Sequence, residues 1–177
     1  MGVGNSNADA LLVGADARGV FMEARGHIRA TLCYPLRDSL LSRLDTAAAP
    51  PAVFIDLSAC TYMDSTFIGL LVAMDKKLRR VSGARLQLLR PSAPCREILS
   101  QIGLQDYLVI QADGMPLPAV MEELSGSPER PGADFILKAH EALMETSEEA
   151  KKKFALLKET LERKLRGEKP PKDNPGG

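Results

Sequence analysis

The sequence predicts an α/β sandwich, a mostly parallel or mixed sheet covered by helices, with a long C-terminal α-helix appended. Three observations carry this. Short apolar runs of the strand type, such as Val53, Phe54 and Ile55, alternate with helical patterns along residues 8–124, and that alternation marks helices packed on a largely parallel sheet. Residues 134–166 contain no Gly or Pro and are rich in Ala, Leu, Glu and Lys, a strong helix signal. Between the two, residues 125–132 hold two Gly and two Pro, the composition of a connection. The expected division is a domain over residues 1–124, a linker over 125–133, an amphipathic helix over 134–166 and a disordered tail over 167–177.

Taken in order, residues 10–13 and 20–24 flank a turn-rich stretch and read as a strand pair. Residues 35–44 carry Leu36, Leu40, Leu41 and Leu44, the stripe of an amphipathic helix, which ends before Pro50 and Pro51. The central strand over 53–55 is expected to end at Asp56. After a short loop, Asp64, Ser65 and Thr66 are all good N-cap residues, and the apolar run 67–74 follows directly. Ser82 and Gly83 stop that helix, and Leu86, Leu88 and Leu89 start another strand. Residues 94–102 predict a short helix with Gly103 at its C-terminus, 107–110 a last strand, and 118–124 a last helix.

The long helix has a seam. Ile136, Leu143, Ala150 and Leu157 recur every seven residues, with His140, Ser147, Phe154 and Leu161 between them. Its first half is acidic and its second half basic, which suits the helix dipole. The apolar seam at Phe154, Leu157 and Leu161 has to be covered by the chain's own domain, a second copy in a homodimer, or a partner.

Composition narrows the function classes. Lys plus Arg and Asp plus Glu are 23 each, so no net field favours nucleic acid or an anionic membrane. The longest apolar run, 67–74, is far short of the roughly 20 residues that cross a bilayer. The N-terminus lacks a basic region followed by an apolar one, so no secretory signal is expected. Cys33, Cys60 and Cys95 are odd in number and show no metal-binding spacing, which points to a reducing, cytoplasmic setting. No catalytic motif surrounds His27 or His140, and two carboxylates, Asp56 and Asp64, without a third ligand do not make a metal site. The expectation is a binding protein, not an enzyme, with no cofactor and no metal.

Its chemistry concentrates at residues 56–70. A hydroxyl opening a helix lies in the positive field of the helix N-terminus, where backbone N–H groups can receive a phosphate. Asp56, Leu57, Met63, Asp64, Ser65, Thr66, Gly69 and Leu70 resemble the hallmark of the STAS domain, the sulfate-transporter and anti-sigma-factor-antagonist family. Residues 89–104 resemble that family's later strand, Pro-containing turn and third helix. The likeness spans residues 8–124, with two departures: Phe67 stands where many members have Gly, and residues 25–28 lack the acidic residue common in the turn there.

The resemblance implies a phosphorylation-switched anti-sigma factor antagonist. Its partner would be a serine-protein kinase that is also the anti-sigma factor, of the histidine-kinase-like ATPase fold, with a PP2C-type phosphatase reversing the mark. Ser65 would be the phosphoacceptor and Thr66 the fallback, with Asp56 and Asp64 supporting the loop. His27, Met63, Phe67 and Gly69 would face the partner. The alternative is a constitutive scaffold that assembles a signalling complex through the same surface and the C-terminal helix, with Phe67 as a fixed anchor.

Overall fold

In the computed structural model, residues 8–46, 49–126 and 129–168 are described; the expected tail beyond Glu168 lies outside them. Strands β1 (Ala10–Asp16) and β2 (Gly19–Ile28) form an antiparallel hairpin. Its turn is tied by the Asp16 carboxylate, which accepts the Arg18 N–H at 2.9 Å. Then follow α1 (Ala30–Thr46), β3 (Val53–Met63), α2 (Ser65–Ser82), β4 (Gln87–Leu89), α3 (Ala93–Gln101) and β5 (Val109–Gln111). A short β6 (Glu122–Glu123) precedes two further helices, α4 (Ala133–Met144) and α5 (Glu148–Leu165).

The sheet runs β5-β4-β3-β2-β1-β6. Strands β2 to β5 are mutually parallel, and β1 pairs antiparallel with both its neighbours. Each parallel step goes to the adjacent strand in the same direction through one helix. Right-handed crossovers therefore stack α1, α2 and α3 on a single face. Leu36, Leu40, Phe67, Leu71 and Leu99 pack there against Ile55 and Leu57. On the opposite face Phe21, Phe54 and Leu89 are covered by Met115, Leu117 and Met121.

Four elements differ from expectation. The central strand does not end at Asp56 but continues to Met63, because β2 is long enough to pair with it as far as Ile28. Helix α1 begins at Ala30 and takes Pro35 into its interior. Residues 118–124 form no helix; Leu12 and Val13 on the open edge of β1 pair with Glu123 and Glu122 instead. The helical region read as one element over 134–166 is two, and the long C-terminal helix is α5. Thr146 and Ser147 break it: the Thr146 hydroxyl donates to Leu143 O at 2.6 Å, and the Ser147 hydroxyl caps α5 by accepting Ala150 N–H at 3.0 Å. Among the described residues, no helix is long and apolar enough to cross a membrane.

Candidate functional site: the α2 N-terminus and its cover

Asp64 is the N-cap of α2. Its backbone N–H donates to Ile28 O at 3.0 Å, which ties the loop to the end of β2. One carboxylate oxygen accepts the Phe67 N–H at 2.8 Å, and the other accepts the Ala30 N–H at 2.7 Å. A single side chain thus satisfies orphan donors at the start of both α2 and α1.

Ser65 is the first residue of α2 and is half-buried. Its Oγ lies 2.8 Å from His140 Nε2, and His140 Nδ1 lies 2.7 Å from Ile136 O. A carbonyl only accepts, so Nδ1 carries the proton that points at Ile136. In the neutral ring Nε2 is then the acceptor and the Ser65 O–H the donor. His140 is only 1% exposed, and its ring meets the Phe154 ring edge-on at 5.3 Å. The hydroxyl expected to accept the phosphate is bonded to the C-terminal region of its own chain.

Gly69 explains how α4 comes this close. A Cβ on Gly69 would stand 2.1 Å from Ala139 O and 2.6 Å from Ala139 C, so the two helix backbones touch there. Further along, the Lys76 ammonium donates to Ala142 O at 3.3 Å and pairs with Glu145. At the other end of α4, Phe135 packs edge-on against Tyr34 of α1 at 5.1 Å. Helix α5 returns along α4, with Lys158 reaching Glu141 at 3.5 Å. Of the seam residues, Phe154 and Leu161 are buried within the chain, and Leu157 remains 38% exposed.

The remaining expected site residues scatter. Met63, Thr66 and Phe67 are buried beneath the surface, so in this arrangement they offer a partner no side chain. Phe67 in particular is a core residue, not an exposed anchor. His27 is exposed, and its ring meets the exposed Tyr62 ring at 5.7 Å, forming the uncovered rim of the site. Asp56 does not reach the loop. It shares the face of β3 that carries Phe54, where its carboxylate accepts Ser58 N–H at 2.8 Å and pairs with Arg90. Burial raises its pKa, but the bonds from Ser58 and Arg90 outweigh burial and hold the carboxyl below the ordinary carboxylate value. Arg90 itself sits at φ 46°, in the left-handed region.

His140 and Ala139 are the site residues that sequence reasoning passed over. The available signal was a histidine in line with Phe154 and Leu161 on the apolar seam, where a polar ring needs a buried partner. Among the described residues, no group of three His, Cys, Asp or Glu could hold a metal ion.

Comparison with known proteins places the chain beside one family model and two solved structures. The family model described as "Mlab, STAS domain" matches residues 11–111. An anti-sigma factor antagonist, SpoIIAA, solved in its unphosphorylated form, is 20% identical with a TM-score of 0.51, covering 58% of this chain and 88% of that one. A second, an anti-sigma factor antagonist from Mycobacterium paratuberculosis, is 22% identical with a TM-score of 0.48, covering 59% and 86%. No curated protein matches the chain.

Proposed function

Because this chain belongs to the STAS domain family, we propose that it works as an anti-sigma factor antagonist, a regulator that binds a protein partner across the N-terminus of α2. Ser65 is the switch. The partner is an anti-sigma factor with serine-kinase activity, of the histidine-kinase-like ATPase fold. It binds the unmodified chain in the cytoplasm, phosphorylates Ser65 and lets go, and a PP2C-type phosphatase resets the site.

The observation that supports this reading most is the position of Ser65 as the first residue of α2, directly after an Asp64 whose two oxygens are both committed to helix N–H groups. A phosphate there gains from the helix dipole and so leaves α2 and the sheet beneath it intact. It also adds roughly −1.5 to −2 charge beside Asp64, which repels an acidic partner surface. The scaffold alternative loses its proposed anchor, since Phe67 is fully buried.

The test is mass spectrometry of the chain after incubation with lysate from its native cells and ATP. Phosphate is expected on Ser65. Ser65→Ala should keep partner binding, and Ser65→Glu should weaken it by about tenfold or more. Phosphate found only at other positions would overturn the switch assignment.

A further inference from the structure

We infer that α4 is a built-in competitor for the Ser65 face, so that the chain accepts a partner only after the α4–α5 hairpin lifts away. What competes with the hairpin rests on the proposed function; the cover itself does not.

Three contacts place α4 on the same ground a partner would use. His140 Nε2 takes the Ser65 hydroxyl at 2.8 Å. The Ala139 backbone fills the space over Gly69. Lys76 closes the far end onto Ala142 O and Glu145. The contact over Gly69 is backbone against backbone, so α4 cannot shift a little to share the face. It is either seated or gone. Lifting it would uncover Gly69, Leu70 and Ala73, an apolar strip beside the hydroxyl that suits a helix from a partner.

Modification is excluded by the same geometry. Hydrogen-bond distance between Oγ and a fully buried imidazole leaves no room for a phosphoryl group between them, and with the ring neutral the Ser65 proton is engaged in that bond. A phosphate on Ser65 and a seated α4 therefore cannot coexist. Departure of the hairpin breaks no strand pairing, because no strand of the sheet pairs with it, and its cost is the apolar contact that Phe135 and Leu143 give up with the core. It can open as a local unit while the sheet stays closed.

The test uses the full chain and no kinase, so it can fail or succeed independently of the switch assignment. Ser65→Cys is made alone and together with Ala139→Glu, which introduces a bulky charge where α4 meets Gly69. N-ethylmaleimide labelling at position 65 is followed by peptide mass spectrometry, and amide hydrogen exchange is read in parallel. Ala139→Glu should speed labelling about tenfold or more and release the α4–α5 amides, with β2 and β3 still protected. Released hairpin amides with labelling changed less than about twofold would overturn the cover. So would a hairpin that stays protected despite Ala139→Glu. Should β3 lose protection, the variant has unfolded and a second arm decides. In that arm the chain carries phosphoserine at position 65, installed during translation, and nothing else is changed. Its hairpin amides should exchange about tenfold or more faster than in the unmodified chain, and equal rates would overturn the inference.

Discussion

The Asp64 carboxylate accepts Phe67 N–H on one oxygen and Ala30 N–H on the other, so both oxygens are in use. Asparagine keeps one acceptor and turns an NH₂ group toward the remaining N–H. Asp64→Asn is therefore expected to lower the unfolding free energy by about 1–3 kcal/mol in urea titration; a loss under about 0.5 kcal/mol would mean the Ala30 bond counts for little. Half of this was legible: Asp followed three residues later by an apolar helix position reads as a cap. The other half was not, because Ala30 lies 34 residues away in sequence. Asp56 carries a pH signature. Its folded pKa lies below its unfolded one of about 3.9. The Asp56–Arg90 pair thus stabilises fully above that unfolded value, and its contribution is lost as pH falls through the lower folded one. Asp56→Asn should reduce stability at neutral pH and flatten the acid limb of the stability–pH curve below about pH 4. An unchanged acid limb would show that other carboxylates set it.

At the scale of elements, the parallel core was readable and the ends of its pieces were not. Runs such as Val53 to Ile55 announce a covered strand, but β3 goes on through Ser58, Ala59 and Tyr62, whose exposed positions do not read as strand. Ala59 and Tyr62 pair with Arg25 and His27 of β2 alongside, a tertiary effect on a sequence with weak local preference. Likewise α1 starts five residues before Pro35, where the proline rule puts a helix start. Its early turn is held by Asp64 from outside. The break in the C-terminal region, by contrast, could have been found: Ser147 followed by Glu148 and Glu149 is a helix-start signature inside a helical stretch. Ser147→Ala should cost α5 about 1 kcal/mol. Hydrogen exchange should show faster opening of α5 with α2 and the sheet unchanged; a chain-wide loss of protection would mean the hairpin is not a separate cooperative unit.

For the whole molecule, the family motif and the appendage are joined by contacts that no local pattern displays. The Asp-Ser motif, its helix and the sheet beneath it were visible because each depends on neighbours in sequence. The meeting of Ser65 with His140, 75 positions later, depends on α4 folding back across Gly69. A small residue at the head of a helix reads equally well as family hallmark, partner surface or seat for the chain's own helix. Only the three-dimensional arrangement separates these. The short connection before α4 then has a quantitative effect. Eight residues, 125–132, lie between Leu124, which still bonds to Leu11 of β1, and the first residue of α4, and a coil of that length has ends about 15 Å apart on average. An unseated α4 therefore stays near its seat at an effective concentration in the millimolar range. Diluting the protein cannot weaken such a tethered occupant, and raising its cellular level cannot strengthen it. The tether sets a fixed threshold that an incoming partner's own concentration and affinity must exceed.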